Sequence, residues 1–599
     1  MFPTTSIMKR CQFLLAPIAL FLSFIAFAQS SQNIIKINQL GYYTNAPKVA
    51  VITSDYKTDE YAGSNFGFYV LRANIGDTVY KNKLSDVRSS SNSSTKTRIA
   101  DFSAFQQNGT YVIYVPGIGN SYPFRIGNDV NKEAAKAVLK GFYYIRSSVP
   151  LEERYAGKWH RQAGHPDTAV LVHPSAASAK RPAGTVISVP GGWYDAGDYN
   201  KYVVNSGITT GTLLAACEDF PEYFSQFNTN IPESENGVPD ILDEALYNMR
   251  WMLRMQDPND GGVYHKCTNA AFDPMVRPGV TKLPRYVVQK GTAATLDFAA
   301  VMAQGSRIFR KYGQQYSGLA DSLLNAAVYA WKWAQTHSSL EYNQNEINKQ
   351  FEPKITTGAY GDRNFTDEWF WAATELFGTT GKKIYYDTIL KHVSDAVALP
   401  SWGNVRMLGY YTMARLKNTL PAFARSTADV LAHDLVRFAD GYLPRLDTNA
   451  FGTIMGGVKE EFNWGSNANA ANQGIALINA YLITKDKKYV DAALTNIDYL
   501  LGRNATGYCF VTGIGARSTM RPHHRPSIAD GIEDPVPGLL AGGPNPDMQD
   551  HAYYEHTEPE TAYSDTDGSY ASNEIAINWN APAVYLFNAV EALQHKIGY

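Results

Sequence analysis

The hydrophobic pattern of this chain changes period once, near residue 130, and a chain with two periods must build two different kinds of core. From about Asn33 to Ile126 apolar and polar residues alternate in short runs, KVAVI, FGFYVLRA and TYVIYVPG, separated by polar stretches such as SSSNSSTK. Successive strand side chains point to opposite faces, so these runs predict half-buried strands, and several of them in a row predict a small antiparallel sandwich. From about Asn131 the spacing becomes helical. In VPDILDEALYNMRWMLRMQD the apolar Leu242, Leu246, Met249 and Leu253 recur at three and four, with Asp240 as N-cap and Asp243 and Glu244 in the first turn. Similar stripes run through TAATLDFAAVMAQGSRIF, ADSLLNAAVYAWKWAQ, TDEWFWAATELF, TADVLAHDLVRFA, NQGIALINAYLI and YVDAALTNIDYLL. No heptad is sustained, which predicts a globular all-α unit and not a coiled coil. The expected division is therefore an all-β sandwich over 33–127 and an all-α domain over 131–599. No Pro- or Ser-rich linker separates them, so the sandwich is expected to dock on its neighbour.

Lys9 and Arg10 precede an apolar run from Phe13 to Phe27 that closes on Ala26, Phe27 and Ala28. This pattern predicts a cleavable leader over residues 1–28 and a protein that is secreted, periplasmic or held at the cell surface. The run is too short for a transmembrane anchor. After removal of Cys11 the chain keeps Cys217, Cys267 and Cys509, an odd and sparse set that predicts no disulfide framework. A net charge of −2 leaves no electrostatic footprint for nucleic acid. The 39 tyrosines and 10 tryptophans supply flat rings that suit the apolar faces of pyranose sugars, although for any one ring a place in the core is the simpler reading.

Two segments carry carboxylates in patterns that suit acid–base chemistry. GGWYDAGDYNKYVV holds Asp195 and Asp198 three residues apart in a glycine-bounded turn, where two carboxylates can orient and deprotonate one water. AYSDTDGSYASNEIAINWNAPAV sets Glu574 among aromatic and amide side chains, with Tyr563, Asp565 and Tyr570 before it, a setting that can hold a proton for a glycosidic oxygen. Each motif alone stays open: the Asp-rich turn is equally a helix cap or a calcium loop, and Glu574 equally a first-turn helix carboxylate.

Together with PHHRPS at Pro522–Ser527 and VPGLLAGGPN after it, these segments resemble glycoside hydrolase family 9, the inverting cellulases. Tyr563, Asp565, Tyr570 and Glu574 match that family's C-terminal signature, and Gly515, Arg517, Pro522, His523 and Arg525 match most of its histidine signature; Cys509 departs from it. INQLGYYTNAPKVAVI is similar to the immunoglobulin-like domain that precedes the catalytic domain in one branch of the family. The resemblance implies an N-terminal immunoglobulin-like sandwich followed by an (α/α)6 toroid of twelve helices in six hairpins, with VYLFNAVEALQHKIGY as its last helix. It implies Asp198 as general base, Asp195 as its helper in holding the water, and Glu574 as general acid. Acid and base in an inverting enzyme stand roughly 6.5 to 9.5 Å apart. Asp565 is carried over as a supporting carboxylate and His523 as part of the catalytic set, with Arg525, His265, Tyr570 and Trp193 as substrate-binding residues. For Asp195 a turn-bracing role, and for His265 a role in satisfying loop backbone groups, stay open beside these.

The activity implied is endo-hydrolysis of β-1,4-glucan by a monomer. An exo-acting cellobiohydrolase, or a hydrolase of xyloglucan, mixed-linkage glucan or a glucosamine-containing chain, is the alternative, and an inactive glycan-binding protein is the alternative from another class. No cofactor is required for the chemistry. Relatives with the immunoglobulin-like domain often hold a structural zinc just before the DAGD turn, but Gly164 and Tyr194 stand where ligands would be sought, and His523 and His524 lack a third ligand, so zinc is not expected. Asp367 and Glu368 in NFTDEWF are candidate calcium ligands, or simply an acidic helix start.

Overall fold

The computed structural model describes residues 34–54 and 67–599, and the leader expected over 1–28 lies outside them. The N-terminal unit consists of β1 (Ile35–Lys36), β2 (Gly41–Tyr42), β3 (Val49–Ser54), β4 (Gly67–Arg72), β5 (Thr78–Lys83), β6 (Arg88–Ser89), β7 (Lys96–Asp101), β8 (Gly109–Val115), β9 (Gly119–Asn120) and β10 (Phe124–Ile126). They form two sheets, ordered β1-β3-β7-β6 and β2-β10-β8-β4-β5, with β9 beside β8. The alternation read in the sequence is the packing: Tyr111, Ile113 and Val115 of β8 face inward and join Phe68, Val70, Ala100, Phe102 and Phe124 in a core of their own.

Twelve helices of ten residues or more follow among the described residues: α1 (Lys132–Tyr144), α2 (Val203–Asp219), α3 (Asp240–Met255), α4 (Thr292–Phe309), α5 (Leu319–Thr336), α6 (Thr366–Thr380), α7 (Lys383–His392), α8 (Arg406–Leu416), α9 (Arg425–Asp440), α10 (Ser466–Thr484), α11 (Lys488–Leu500) and α12 (Ile577–Leu593). Their packing closes on itself. In succession α2 packs on α4, α4 on α6 and α6 on α8; α9 joins α8 to α10, α10 packs on α12, and α12 returns to α2. The odd-numbered helices lie against this inner set, α1 on α12, α3 on α2, α5 on α4, α7 on α6 and α11 on α10. Composition sorts the two sets. α2 is buried from Val203 through Cys217 and is rich in Gly, Ala, Ser and Thr, whereas α9 buries only the stripe Ala428, Leu431, Ala432, Leu435 and Ala439.

One expectation at α3 is corrected. Pro239, not Asp240, occupies the cap position, and Asp240 Oδ2 instead accepts hydrogen bonds from the Thr229 N–H and hydroxyl (2.7 Å for the latter) and from Ser234 Oγ (2.8 Å).

A third sheet, ordered β12-β11-β15-β14-β13, lies within the helical unit: β11 (Val170–Val172), β12 (Val186–Ile187), β13 (Lys201–Tyr202), β14 (Lys266–Asn269) and β15 (Arg285–Val287). Runs of two to four residues are too short to display a period of two. This sheet matters for the site, because β13 leaves the DAGD turn directly and pairs with β14.

The sandwich docks on the helical unit. Val51 packs with Ala450 and Phe451, Asn38 Nδ2 donates to Asp498 Oδ1 (2.8 Å), the Gln39 N–H to the Leu501 carbonyl (3.0 Å), Tyr43 O–H to Glu591 Oε1 (2.5 Å) and Asn92 Nδ2 to the Gly456 carbonyl (2.7 Å).

Candidate active site

The DAGD turn is closed by its own backbone and tied to two distant segments. The Asp195 N–H donates to the Asn200 carbonyl (3.0 Å), and the Asp195 carbonyl accepts from the N–H of Ile577, the first residue of α12 (2.8 Å). Arg525 donates to the Gly197 carbonyl from its backbone N–H (3.1 Å) and its guanidinium (2.9 Å), and the Gly197 N–H bonds the Glu574 carboxyl. The peptide at Gly197 thereby connects the turn, the histidine loop and the glutamate. A Cβ there would come 2.0 Å from the His523 carbonyl oxygen, so the requirement for glycine is close approach. Gly197→Ala is therefore expected to part the two loops by about an ångström and lower kcat by roughly a hundredfold. Steady-state kinetics beside a thermal melt check this; unchanged kinetics in a folded variant would contradict it.

Asp195, Asp198 and Glu574 meet in one cavity of about 550 Å³, walled by Phe272, Tyr360, Trp402, Trp464 and Trp579. Asp195 receives Asn205 Nδ2 on both oxygens (2.9 and 3.0 Å) and Tyr360 O–H on Oδ2 (2.9 Å). Asp198 Oδ2 accepts from the Asn200 amide and from Tyr202 O–H (3.4 Å). Glu574 is held through its neighbours: the His523 N–H donates to the Asn573 carbonyl (2.9 Å) and the Gly542 N–H to the Glu574 carbonyl (2.8 Å).

Electrostatics separate the three carboxyls. Burial, then the charges of Asp198 and Asp195, hold Glu574 well above the ordinary carboxylate range, which favours its protonated form. Burial and the nearby Asp198 push Asp195 up to about 8, against the pull of Asn205 and Tyr360. Burial also raises Asp198, but the Asn200 amide and three cations, Arg525, Arg285 and Lys266, draw it back. A proton donor therefore shares the cavity with a carboxylate that positive charge favours as ionised, which is the division of labour general acid–base catalysis needs.

The remaining sequence candidates fall into distinct places. Asp565 accepts the N–H groups of Met520 (2.9 Å) and Arg521 (2.8 Å) and thus pins the start of the histidine loop. His523 Nδ1 bonds the Asp567 carbonyl (2.6 Å), and its ring stands 5.8 Å from that of Tyr570, which lies 5.3 Å from Trp464.

Two substrate-binding expectations are corrected. Trp193 is fully buried with its ring 4.6 Å from Phe142, so it cannot stack on a sugar. His265 is 1% exposed, stacked 4.0 Å from Tyr342, and its Nε2 donates to the Ala359 carbonyl (2.8 Å); it braces the segment before Tyr360 and does not face substrate. Sequence reasoning missed Tyr360. It sits in a glycine-containing loop outside any motif, in a left-handed conformation (φ 47°), and only the fold brings it to Asp195.

Asp367 and Glu368 open α6. Asp367 Oδ2 accepts from the Val405 N–H (2.8 Å), while both oxygens of Glu368 and of Asp297 are buried without hydrogen-bond partners. Burial, with Asp297, Asp362 and Asp367 nearby, raises Glu368 well above its ordinary range. Orphaned carboxylate oxygens are the donor type a hard cation takes, yet among the described residues no three carboxylate, imidazole or thiolate groups converge closely enough to ligate a metal. Upstream, a Cβ on Gly164 would meet Pro278 Cβ at 2.4 Å and Tyr194 Oη at 2.9 Å, and His165 Nδ1 is bonded to that Tyr194 hydroxyl (2.9 Å).

Comparison with known proteins gives the family of both units. The family described as glycosyl hydrolase family 9 matches residues 132–587, and the cellulase N-terminal ig-like domain matches residues 30–120. A xyloglucan-specific endo-beta-1,4-glucanase of Bacteroides ovatus is 47% identical over 93% of this chain and 94% of its own length. Endoglucanase D of Acetivibrio thermocellus is 32% identical over 92% of this chain and 82% of its own length. The solved structure of a Bacteroides ovatus family 9 protein superposes with a TM-score of 0.88 at 46% identity, covering 94% of this chain and 99% of that one.

Proposed function

Because the chain belongs to glycosyl hydrolase family 9, we propose that it hydrolyses internal β-1,4 linkages of a glucan with inversion, using Glu574 as general acid, Asp198 as general base and Asp195 as the group that holds the attacking water. The observation that carries this reading is the three carboxyls in one aromatic-walled cavity, of which Asp198 alone is faced by three cations. Glu574 gives its proton to the departing glycosidic oxygen. Asp198 takes a proton from water on the opposite face of the sugar, and Asp195, fixed by Asn205 and Tyr360, orients that water. The aromatic walls offer faces for pyranose rings.

A second reading concerns the backbone's decoration. The 47% identical relative is named for xyloglucan, which favours a branched β-1,4-glucan as the preferred substrate here too. Initial rates on xyloglucan, carboxymethylcellulose and lichenan, with viscosity followed beside reducing ends, test both points. A fast fall in viscosity supports endo action; release of cellobiose without loss of viscosity would contradict it. A glycan-binding protein without activity is the weaker reading, since acid and base are both retained.

The closed packing of the helices supports the finer reading of the helical unit as an (α/α)6 toroid with a domain boundary near residue 130. Export follows from the leader pattern read in the sequence; no described helix is long and apolar enough to cross a membrane. For a structural calcium at Asp367 and Glu368 the orphaned oxygens of Glu368 speak in favour and the lack of three converging ligand groups among the described residues speaks against; if the site is real, chelation lowers the melting temperature and added calcium restores it, whereas an unchanged melt rules it out. Zinc is not proposed.

A further inference from the structure

The strand pair that leaves the DAGD turn also carries Lys266, one of the three cations facing Asp198. β13 and β14 run antiparallel with Tyr202 opposite Lys266, and directly opposed residues extend to the same face of a sheet. Lys266 is wholly buried, its Nζ 5.4 Å from the Tyr202 ring centroid and 5.5 Å from that of Tyr342. Three neutral acceptors answer its three donors: Gln344 Oε1 (2.6 Å), the Gly358 carbonyl (2.6 Å) and Thr357 Oγ1 (3.1 Å). Two of these belong to the segment that runs into Tyr360, whose hydroxyl reaches Asp195 (2.9 Å); His265 grips the same segment at the Ala359 carbonyl.

A buried ammonium costs several kcal/mol unless other charge and hydrogen bonds answer it. Burial does pull Lys266 well down, and the charge that pulls it back is Asp198. The other groups facing Asp198 are Arg525 from the histidine loop, Arg285 from β15, Asp195 from its own turn, Tyr202 from β13 and Glu574 from the segment before α12. Arg285 is already matched by Asp167 (2.8 Å), which leaves much of its charge spent locally. Lys266 has only neutral hydrogen-bond partners.

We propose that Lys266 is a positioning residue for hydrolysis, fixing the 357–360 segment from which Tyr360 reaches Asp195 and supplying the buried positive charge that faces the general base. The proposal rests on the assignment of Asp198 as base. An ionised base governs the acid limb of kcat/KM, and removing a nearby positive charge raises the pH at which that base ionises.

The test is the pH profile of kcat/KM on a soluble β-glucan for the wild-type chain, Lys266→Met and Gln344→Glu. The second variant is nearly isosteric at a half-buried position, keeps the lysine and sets a carboxylate against its ammonium, so it decides the matter if Lys266→Met does not fold. In both, the acid limb is expected to move up by about one pH unit, with kcat/KM at the acid side falling about tenfold. An acid limb that stays in place in every folded variant, even with a lower kcat, would reduce Lys266 to a loop brace and overturn the proposal. A wild-type chain that cleaves no β-glucan would instead overturn the functional reading beneath it.

Discussion

Glu574→Gln is expected to slow hydrolysis of natural oligosaccharides by roughly a hundredfold to ten-thousandfold while sparing glycosyl fluorides, whose leaving group needs little protonation. Its raised pKa, caused first by burial and then by Asp198 and Asp195, is what lets it hold the proton it donates. Asp198→Asn is expected to fail on both kinds of substrate by a similar factor, because the water stays unactivated whatever group departs. Asp195→Asn should fall between them: its hydrogen bonds to Asn205 and Tyr360 place the water and do not take its proton. Rates on a cello-oligosaccharide and on the corresponding fluoride, measured for all three variants, separate the roles. Near wild-type turnover of natural substrate by Asp198→Asn, or equal loss of both substrates by Glu574→Gln, would reverse the assignment.

Removal of the N-terminal sandwich, residues up to 127, is expected to lower the melting temperature of the helical unit by about 10 °C or to make it insoluble. The docking face is built from both sides. Phe451 and Ala450, 3% and 4% exposed, pack with Val49, Val51 and Ile99 of the sandwich, and the Tyr43 ring stacks on Tyr599 at 5.4 Å while its hydroxyl serves Glu591. Uncovering this patch exposes apolar surface and deprives Asp498 of its bond from Asn38. None of the three cavity carboxyls comes from the sandwich, so the bond cleaved should not change. Differential scanning calorimetry of the truncated chain checks this. A soluble fragment with the melting temperature and activity of the full chain would show the docking to be dispensable.

The two periods of the sequence already distinguish sandwich from helical unit, because burial on one face of a strand or helix is written locally at spacing two or three to four. The three cavity carboxyls were legible for a different reason: each motif alone stayed open, and it was the joint resemblance of the segments holding Asp195, Asp198 and Glu574 to one family that singled them out. What was not legible depends on contacts far apart in sequence. Trp193 stands two residues before Asp195, yet long-range partners draw it inward: its backbone N–H bonds Asn248 Oδ1 (3.3 Å), its indole N–H bonds Glu244 Oε2 (3.4 Å), and its ring packs on Phe142. His265 and Lys266 show no pattern of their own until β14 pairs with β13 and the 357–360 segment folds over them. Tyr360 reaches Asp195 across 165 positions, which no local spacing encodes.

The most direct test of the account is the anomeric form of the first product. If Asp198 activates water on the face opposite the bond that Glu574 protonates, proton NMR of a cello-oligosaccharide or xyloglucan oligosaccharide digest, recorded before mutarotation, gives the α-anomer at the newly formed reducing end. Initial appearance of the β-anomer would mean retention through a covalent intermediate, and would contradict the assignment of Asp198 as a base acting on water.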